Sequence, residues 1–222
     1  MRILTLAFAI LAASGCATRA VMPYSTQSVA APRPDNVALL MTATIRNDHH
    51  PSSQPDLRVV YVEYPGAKEK SDRLNFMIDD DARSLLQATG NYLIRLELPP
   101  GKYVLRGFMG QVWSFPTIAI CRAPLHSGLD FPKGGVYYIG HVDAVIRERK
   151  DGEFRAGPPL PFVEQAHAGF SSGTFDVSIT DRADTDLPRF RNQFPGLASA
   201  EIQRAILPPF DREFAQRYWQ GH

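Results

Sequence analysis

Apolar and polar residues alternate with a period of two over most of residues 37–180, the pattern of strands that bury one face. The sequence predicts about eight strands at residues 37–46, 57–64, 92–98, 103–109, 117–122, 136–150, 153–155 and 175–179. The 18 prolines among 222 residues leave room only for short helices.

The longest predicted strand, residues 136–150, has two distinct faces. One face carries Val136, Tyr138, Gly140, Val142, Ala144 and Ile146, which we expect to face the core. The other carries Tyr137, His141, Asp143, Arg147 and Arg149. Tyr and Arg are enriched at protein interfaces, so the second face is a possible partner surface. The alternative is a plain solvated sheet face.

Two short segments predict hairpin turns. Pro100 and Gly101 fit the two central positions of a type II turn, because proline fixes φ and glycine accepts a positive φ. Asp151 and Gly152 form a two-residue turn signal after the long strand. Each turn is expected to join paired neighbouring strands.

After Thr180 the pattern becomes helical. Asp184 and Asp186 offer N-cap oxygens for a helix over residues 187–194, and residues 199–207 predict a second helix. A third begins after Pro208-Pro209, with Phe210, Phe214 and Tyr218 on one face. The predicted fold is mainly β: an antiparallel β-sandwich, one domain over residues 37–222, with a short helical C-terminal appendage at about 184–219.

The N-terminus has the features of a bacterial secretion signal. A charged start, Met1-Arg2, precedes the apolar residues 3–13, too few to cross a bilayer. Ala13-Ser14-Gly15-Cys16 resembles the lipobox of bacterial lipoproteins, which implies removal of residues 1–15 and acylation of Cys16. By the same resemblance, Ala17 after the cysteine favours the outer membrane, with the domain on its periplasmic side. The alternative is a plain signal peptide cut near Ala17.

Residues 17–36 show neither period and contain three prolines. We predict that residues 16–36 are a lipidated cysteine and a flexible tether, with a span of roughly 25 Å. Without residues 1–15 the chain keeps 23 basic and 23 acidic residues, since only Arg2 is lost, so nothing indicates nucleic-acid binding.

The segments at residues 98–103 and 135–140, Leu-Pro-Pro-Gly-Lys-Tyr and Gly-Val-Tyr-Tyr-Ile-Gly, are similar to the prealbumin-like β-sandwich domains of uncharacterised bacterial lipoproteins. The resemblance covers residues 37–180. It implies a fold and a cellular compartment, and it implies no catalytic residues.

Two features suggest nucleophiles. Cys121 has no second cysteine in the mature chain except Cys16, and its apolar surroundings predict a buried thiol. Residues 169–173, Gly-Phe-Ser-Ser-Gly, match the spacing of a serine-hydrolase elbow around Ser171. A predicted strand follows where the elbow requires a helix, which favours a simple turn.

Four groups could bind metal ions: Asp48-His49-His50, the His141 and Asp143 pair, the aspartates at 79–81, and the aspartates at 181, 184 and 186. Surface pairs and helix caps are the competing interpretations. We expect no cofactor and no metal, and a membrane-anchored, non-enzymatic envelope lipoprotein that binds a protein or glycan partner or supports envelope assembly. The alternative is a lipid-anchored hydrolase that uses Ser171 or a metal-assisted site near His141 and Asp143.

Overall fold

The computed structural model describes residues 17–83, 91–114, 117–158 and 168–221. Within these ranges ten strands form two sheets whose inner faces enclose a hydrophobic core, and two α-helices follow the last long strand. The predicted mainly-β sandwich with short C-terminal helices is therefore confirmed.

Sheet A has the spatial order β1-β4-β3-β6-β7. Its strands are β1 (Thr18–Val21), β3 (Asp56–Glu63), β4 (Arg73–Met77), β6 (Gly101–Ser114) and β7 (Thr117–Phe131). A turn of 3-10 helix at Lys70–Asp72 precedes β4. All neighbours in this sheet are antiparallel except β1 and β4, which are parallel.

Sheet B is built around β8, which has β2 along one edge and β9 and β10 along successive parts of the other edge. Its strands are β2 (Val37–Asn47), β5 (Asn91–Leu98), β8 (Gly135–Glu148), β9 (Gly173–Thr180) and β10 (Ile202–Arg204). β8 runs parallel to β2 and to β10, so the sandwich is mixed rather than purely antiparallel.

The two helices cover different parts of the sandwich. Helix α1 (Ala183–Gln193) packs Phe190 against the outer face of sheet B, where Leu40 and Tyr138 form a second apolar cluster with it. Helix α2 (Arg212–Gln220) lies against β7 and contributes Ala215 to the main core. Sheet B is therefore covered on both faces, whereas the described residues leave part of the outer face of sheet A open beside α2.

A β-bulge in β8 changes which residues face the core. Leu40 pairs with Tyr138 and Thr42 with His141, so two residues of β8 oppose one of β2, and Gly140 at the bulge has φ of 111°. Before the bulge Tyr137 faces the inner core, and after it Val142 does. The prediction of a single uninterrupted alternation over residues 136–150 is therefore wrong.

The predicted hairpin at Pro99-Pro100 is also wrong. β5 belongs to sheet B and β6 to sheet A, so this connection carries the chain from one layer to the other. At Asp151-Gly152 a turn is present, with Gly152 at φ of 83° and Glu153 N–H donating to the Lys150 carbonyl at 3.2 Å. Residues 153–158, which follow the turn directly, form no strand, and the next strand to pair with β8 is β9.

The C-terminal predictions have mixed outcomes. Helices α1 and α2 correspond to the first and third predicted helices. Residues 199–207 were predicted to be helical, but they run extended and include β10, because the open edge of β8 at Val136–Tyr138 offers backbone partners to Ile202–Arg204.

Residues 17–36 are not a free tether. β1 pairs in register with β4 from Thr18 opposite Leu74 to Val21 opposite Met77. The backbone and hydroxyl of Thr26 donate to Asp81 at 3.0 and 2.9 Å. The segment is therefore docked on the sandwich from Thr18 onward, because it supplies a strand and specific polar contacts that period counting does not detect.

A second bulge lies in sheet A. Leu105 pairs with Ser127 and Gly107 with Pro124, so Arg106 alone faces two residues of β7, Leu125 and His126. Gly107 has φ of 142°, and an added Cβ would lie 2.0 Å from the carbonyl oxygen of Ala123. Only glycine allows the two strands to approach this closely at the bulge.

Gly107→Ala should lower the free energy of unfolding by at least about 2 kcal/mol, through backbone strain and overpacking. The matched control is Gly128→Ala in β7, where an added Cβ meets no atom within 4 Å; it should stay within about 0.5 kcal/mol of the parent. Urea unfolding measures both. Equal stability of the two variants would contradict the role assigned to Gly107.

Candidate functional site

A cleft of about 540 Å³ lies on the open outer face of sheet A, a volume suited to a small ligand. Its floor includes Tyr61, Asn75 and Gly107, which stand in one row across β3, β4 and β6. Helix α2 and residues 154–158 form one wall, and the 3-10 turn at Lys70–Asp72 contributes to the other. The first described residue, Ala17, also lines the cleft.

Positive charge dominates the cleft. The side chains that line it include five cations, Lys70, Arg73, Arg106, Arg122 and Arg155. Among the described lining residues none is acidic. Since the chain as a whole carries a net charge near zero, this is a local concentration of charge that attracts anions.

Glu63, which lies beside the cleft on β3, offsets part of this charge. Its carboxylate is 3.3 Å from Arg106 Nη1 and 3.7 Å from Arg73 Nε. The second distance is too long for a hydrogen bond. The Nε–H groups of Arg73 and Arg106 are buried and have no hydrogen-bond partner among the described residues. Each guanidinium group therefore retains one unused donor beside the cleft, below the surface that solvent reaches.

The bulge in sheet A positions the aromatic wall. Arg106 Nη2 donates to the hydroxyl of Tyr218 at 3.0 Å, and its guanidinium lies 5.6 Å from that ring's centre. His126, with φ of 52°, stacks 4.4 Å from Tyr218 and 5.4 Å from Phe214. Both bulge residues thus hold helix α2 over the edge of the cleft.

Helix α2 is fixed at its N-terminus by an ion network. Arg212 and Arg147 both contact the Glu153 carboxylate, at 2.8 and 2.7 Å, and both contact Asp176, at 3.1 and 2.8 Å. Hydrogen bonds from Arg147, supported by Arg212, hold the pKa of Glu153 well below its ordinary value. The same contacts raise the pKa of Arg147. These ion pairs therefore hold helix α2, which forms this wall of the cleft, against the sandwich.

None of the five predicted partner-surface residues lines the cleft. Tyr137 is 6% exposed and packs in the inner core, because it precedes the β8 bulge. Asp143 pairs with Arg46 at 2.8 Å, and Arg147 belongs to the ion network described above. Arg149 donates to the carbonyl of Glu153 at 3.0 Å. The β8 face is not the single exposed surface that the alternation predicted.

His141 was predicted to be solvated, but it is 3% exposed beneath helix α1. Its Nδ1 is 2.8 Å from the hydroxyl of Thr42, and its Nε2 is 3.0 Å from that of Thr44. Thr42 and Tyr138 both donate to the buried carboxylate of Asp186, at 2.5 and 2.7 Å. This polar network joins α1 to sheet B.

The available protons determine which groups donate in this network. Thr42 has a single hydroxyl proton, which Asp186 accepts, so His141 Nδ1–H donates to Thr42. Burial lowers the pKa of His141 to about 4, so at neutral pH its imidazole is neutral and Nε2 accepts from the hydroxyl of Thr44. Burial and the bond to Asp186 raise the pKa of Tyr138. Because every member is satisfied, the arrangement serves structure rather than proton transfer.

The predicted metal-binding groups are divided among other contacts. His141 and Asp143 have separate partners, and Asp48 is 3.4 Å from Arg46. Asp79 caps the 3-10 turn at Asp80–Ala82 and binds Arg95 at 2.6 Å. In the described part of the chain no three His, Cys, Asp or Glu side chains meet in a metal-binding cluster.

The Gly169–Gly173 segment forms a turn that leads into β9, and no helix follows it. The serine in contact with a histidine is Ser172, whose hydroxyl is 3.0 Å from His49 Nε2; the carbonyl of Ser171 accepts from Arg155. The strand-turn-helix geometry of a nucleophile elbow is thus not formed there.

Cys121 is fully buried, as predicted, and burial raises the pKa of its thiol to about 12. Such a thiol is protonated at neutral pH and is a poor nucleophile. Cys16 lies outside the described residues.

Comparison with protein-family models, with curated proteins and with solved structures finds no match to this chain. Neither helix in the described ranges has the length and apolar character that a membrane span needs.

Sequence reasoning missed the cleft. Its cations occupy outward-facing positions on separate strands, for example Arg73 on β4 and Arg122 on β7, and each alone is an ordinary solvated residue. The one local signal was Arg106-Gly107, a break in the alternation of β6 that marks the bulge.

The imidazole of His141 should titrate near pH 4 instead of near 6.5, as followed by NMR and assigned through His141→Gln. Since the unfolded chain binds this proton first as pH falls, the free energy of unfolding should drop by up to ~3 kcal/mol between pH 6.5 and 4 on account of His141. Over the same pH range, the free energy of unfolding of the Gln variant should fall by less than that of the parent, with a difference of up to ~3 kcal/mol. A titration midpoint near 6.5 would contradict the buried, neutral assignment.

Proposed function

We propose that this protein is a membrane-anchored, non-enzymatic envelope lipoprotein that binds an anionic ligand in the cleft on sheet A. The proposal narrows the partner expected from the sequence to one that presents phosphate, sulfate or carboxylate groups, as an acidic glycan or an acidic protein surface does. The observation that carries it is the set of five cations with no acidic residue among the described lining residues.

The chemistry of the cleft supports an anion as ligand. Guanidinium groups donate in a planar fork that matches carboxylate and phosphate oxygens. Arg73 and Arg106 each keep a buried Nε–H without a partner in the described structure. A small shift of either side chain would bring this donor to an anion in the cleft. Tyr218 and Trp219 offer ring faces to a non-ionic part of the same ligand.

The same features argue against catalysis in the cleft. Its described lining residues include cations, aromatic rings and one amide, Asn75, but no carboxylate, cysteine or serine. His126 is engaged in ring contacts with Phe214 and Tyr218. The contact between Ser172 and His49 lies outside the cleft and is exposed to solvent. Binding is therefore the better supported activity.

Neutralising Lys70 and Arg122 should weaken anion binding. Both are exposed, and within the described ranges neither side chain makes a hydrogen bond or ion pair, so Lys70→Gln and Arg122→Gln should fold normally. Loss of one charge-assisted hydrogen bond, worth about 1.5–3 kcal/mol, predicts at least tenfold weaker binding per substitution. Calorimetric titration with inorganic phosphate and with an acidic oligosaccharide measures the change.

The matched control is Arg182→Gln, because Arg182 lies at the start of α1 on the opposite side of the sandwich. It should bind both probes as the parent does. The proposal fails if neither probe binds the parent, or if Arg182→Gln weakens binding as much as the cleft variants do.

The anchor is tested separately. If Cys16 is acylated, Cys16→Ser should move the protein from the membrane fraction to the soluble fraction, because the acyl chains supply the membrane affinity. Cys121→Ala changes the other cysteine, a buried one, and should leave the distribution unchanged. Cell fractionation with detection of the protein in each fraction gives the answer, and a membrane-bound Cys16→Ser protein would count against lipidation.

A further inference from the structure

We infer that the anion bound in the cleft is the phosphate-bearing head group of an anionic phospholipid, one with a net negative charge, in the membrane that holds the anchor. The inference rests on the proposed function and adds the source of the anion. It follows from where the N-terminal segment enters the fold.

The entry point lies at the cleft itself. Ala17 lines the cleft, and the next residue, Thr18, is paired with Leu74 of β4 directly beside Arg73. One peptide unit separates Ala17 from Cys16. An acylated Cys16 therefore leaves no long tether between lipid and domain, because β1 is already held in sheet A.

This attachment fixes which face meets the bilayer. With acyl chains at residue 16, the cleft opens within a few residues' reach of the lipid head groups, about 3.5 Å per residue even when the chain is extended. Basic residues at such a surface each contribute about 1 kcal/mol of attraction to anionic lipids. Arg73 adjoins Leu74, the partner of Thr18, and the other four cations line the same cleft as Ala17.

The rim of the cleft has the character of a membrane interface. Trp219 lines the cleft and is 39% exposed, and Phe214 on the same helix is 42% exposed. Aromatic side chains of this kind favour the head-group layer, where an apolar ring and polar surroundings coexist. Arg73 and Arg106 can meet the phosphate while these rings contact the glycerol and upper acyl region.

The test uses the mature chain, residues 16–222, with Cys16→Ser so that no acyl group contributes to binding. Co-sedimentation is measured with vesicles of phosphatidylcholine alone and of phosphatidylcholine mixed with phosphatidylglycerol. We expect binding to the mixed vesicles only. The Lys70→Gln/Arg122→Gln double variant should bind them roughly 25-fold more weakly, about fivefold per charge, and Arg182→Gln should stay within about twofold of the parent.

Free anions distinguish the source of the ligand. Inorganic phosphate, at a concentration that fills the cleft by calorimetry, should release the protein from the mixed vesicles. The inference is overturned if phosphate leaves vesicle binding unchanged, if the two kinds of vesicle bind equally, or if Arg182→Gln loses as much binding as the double variant. If an acidic oligosaccharide binds the cleft and the mixed vesicles do not, the head-group inference fails and the proposed function stands. If no anion binds, both fail.

Discussion

The close approach of β6 and β7 at Gly107 is the constraint on which the candidate site depends. A side chain at this position would collide with the carbonyl of Ala123, and the backbone conformation, φ of 142°, is one that glycine adopts easily. The bulge that results presents Arg106 and His126 to helix α2. Without it, the helix would lose its contacts with sheet A and the cleft would lose its aromatic wall.

Both outer faces of the sandwich bury charged groups, but the hydrogen bonding of these groups differs between the two faces. On sheet B, helix α1 buries a carboxylate, Asp186, whose contacts with Thr42 and Tyr138 satisfy it. On sheet A, the arginines beside the cleft keep buried N–H donors that no described residue accepts. Buried polar groups are ordinarily paired, so the unused donors beside the cleft favour a ligand that binds there.

The period-two pattern predicted the strands and the sandwich because it reports which residues are buried on a regular pleat. It failed at Gly140, where one extra residue reverses the faces of β8 and moves Tyr137 into the core. The five residues predicted as a partner surface do not share one exposed face for the same reason, and because α1, distant in sequence, covers His141. Residues 17–36 were misjudged because pairing of β1 with β4 is specified by the partner strand and not by local period. The cleft could not be predicted from the sequence, because only strand register brings Arg73, Arg106 and Arg122 together.

The central claim is that an anion satisfies the unpaired guanidinium donors of the cleft. NMR of the Nε–H groups in the ¹⁵N-arginine-labelled protein, during titration with inorganic phosphate, tests it most directly. The account predicts that the Nε–H signals of Arg73 and Arg106 shift together, saturate, and exchange more slowly with water, while that of Arg182 on the opposite face stays in place. Equal, unsaturated shifts at Arg182 and at the two cleft arginines would contradict the account.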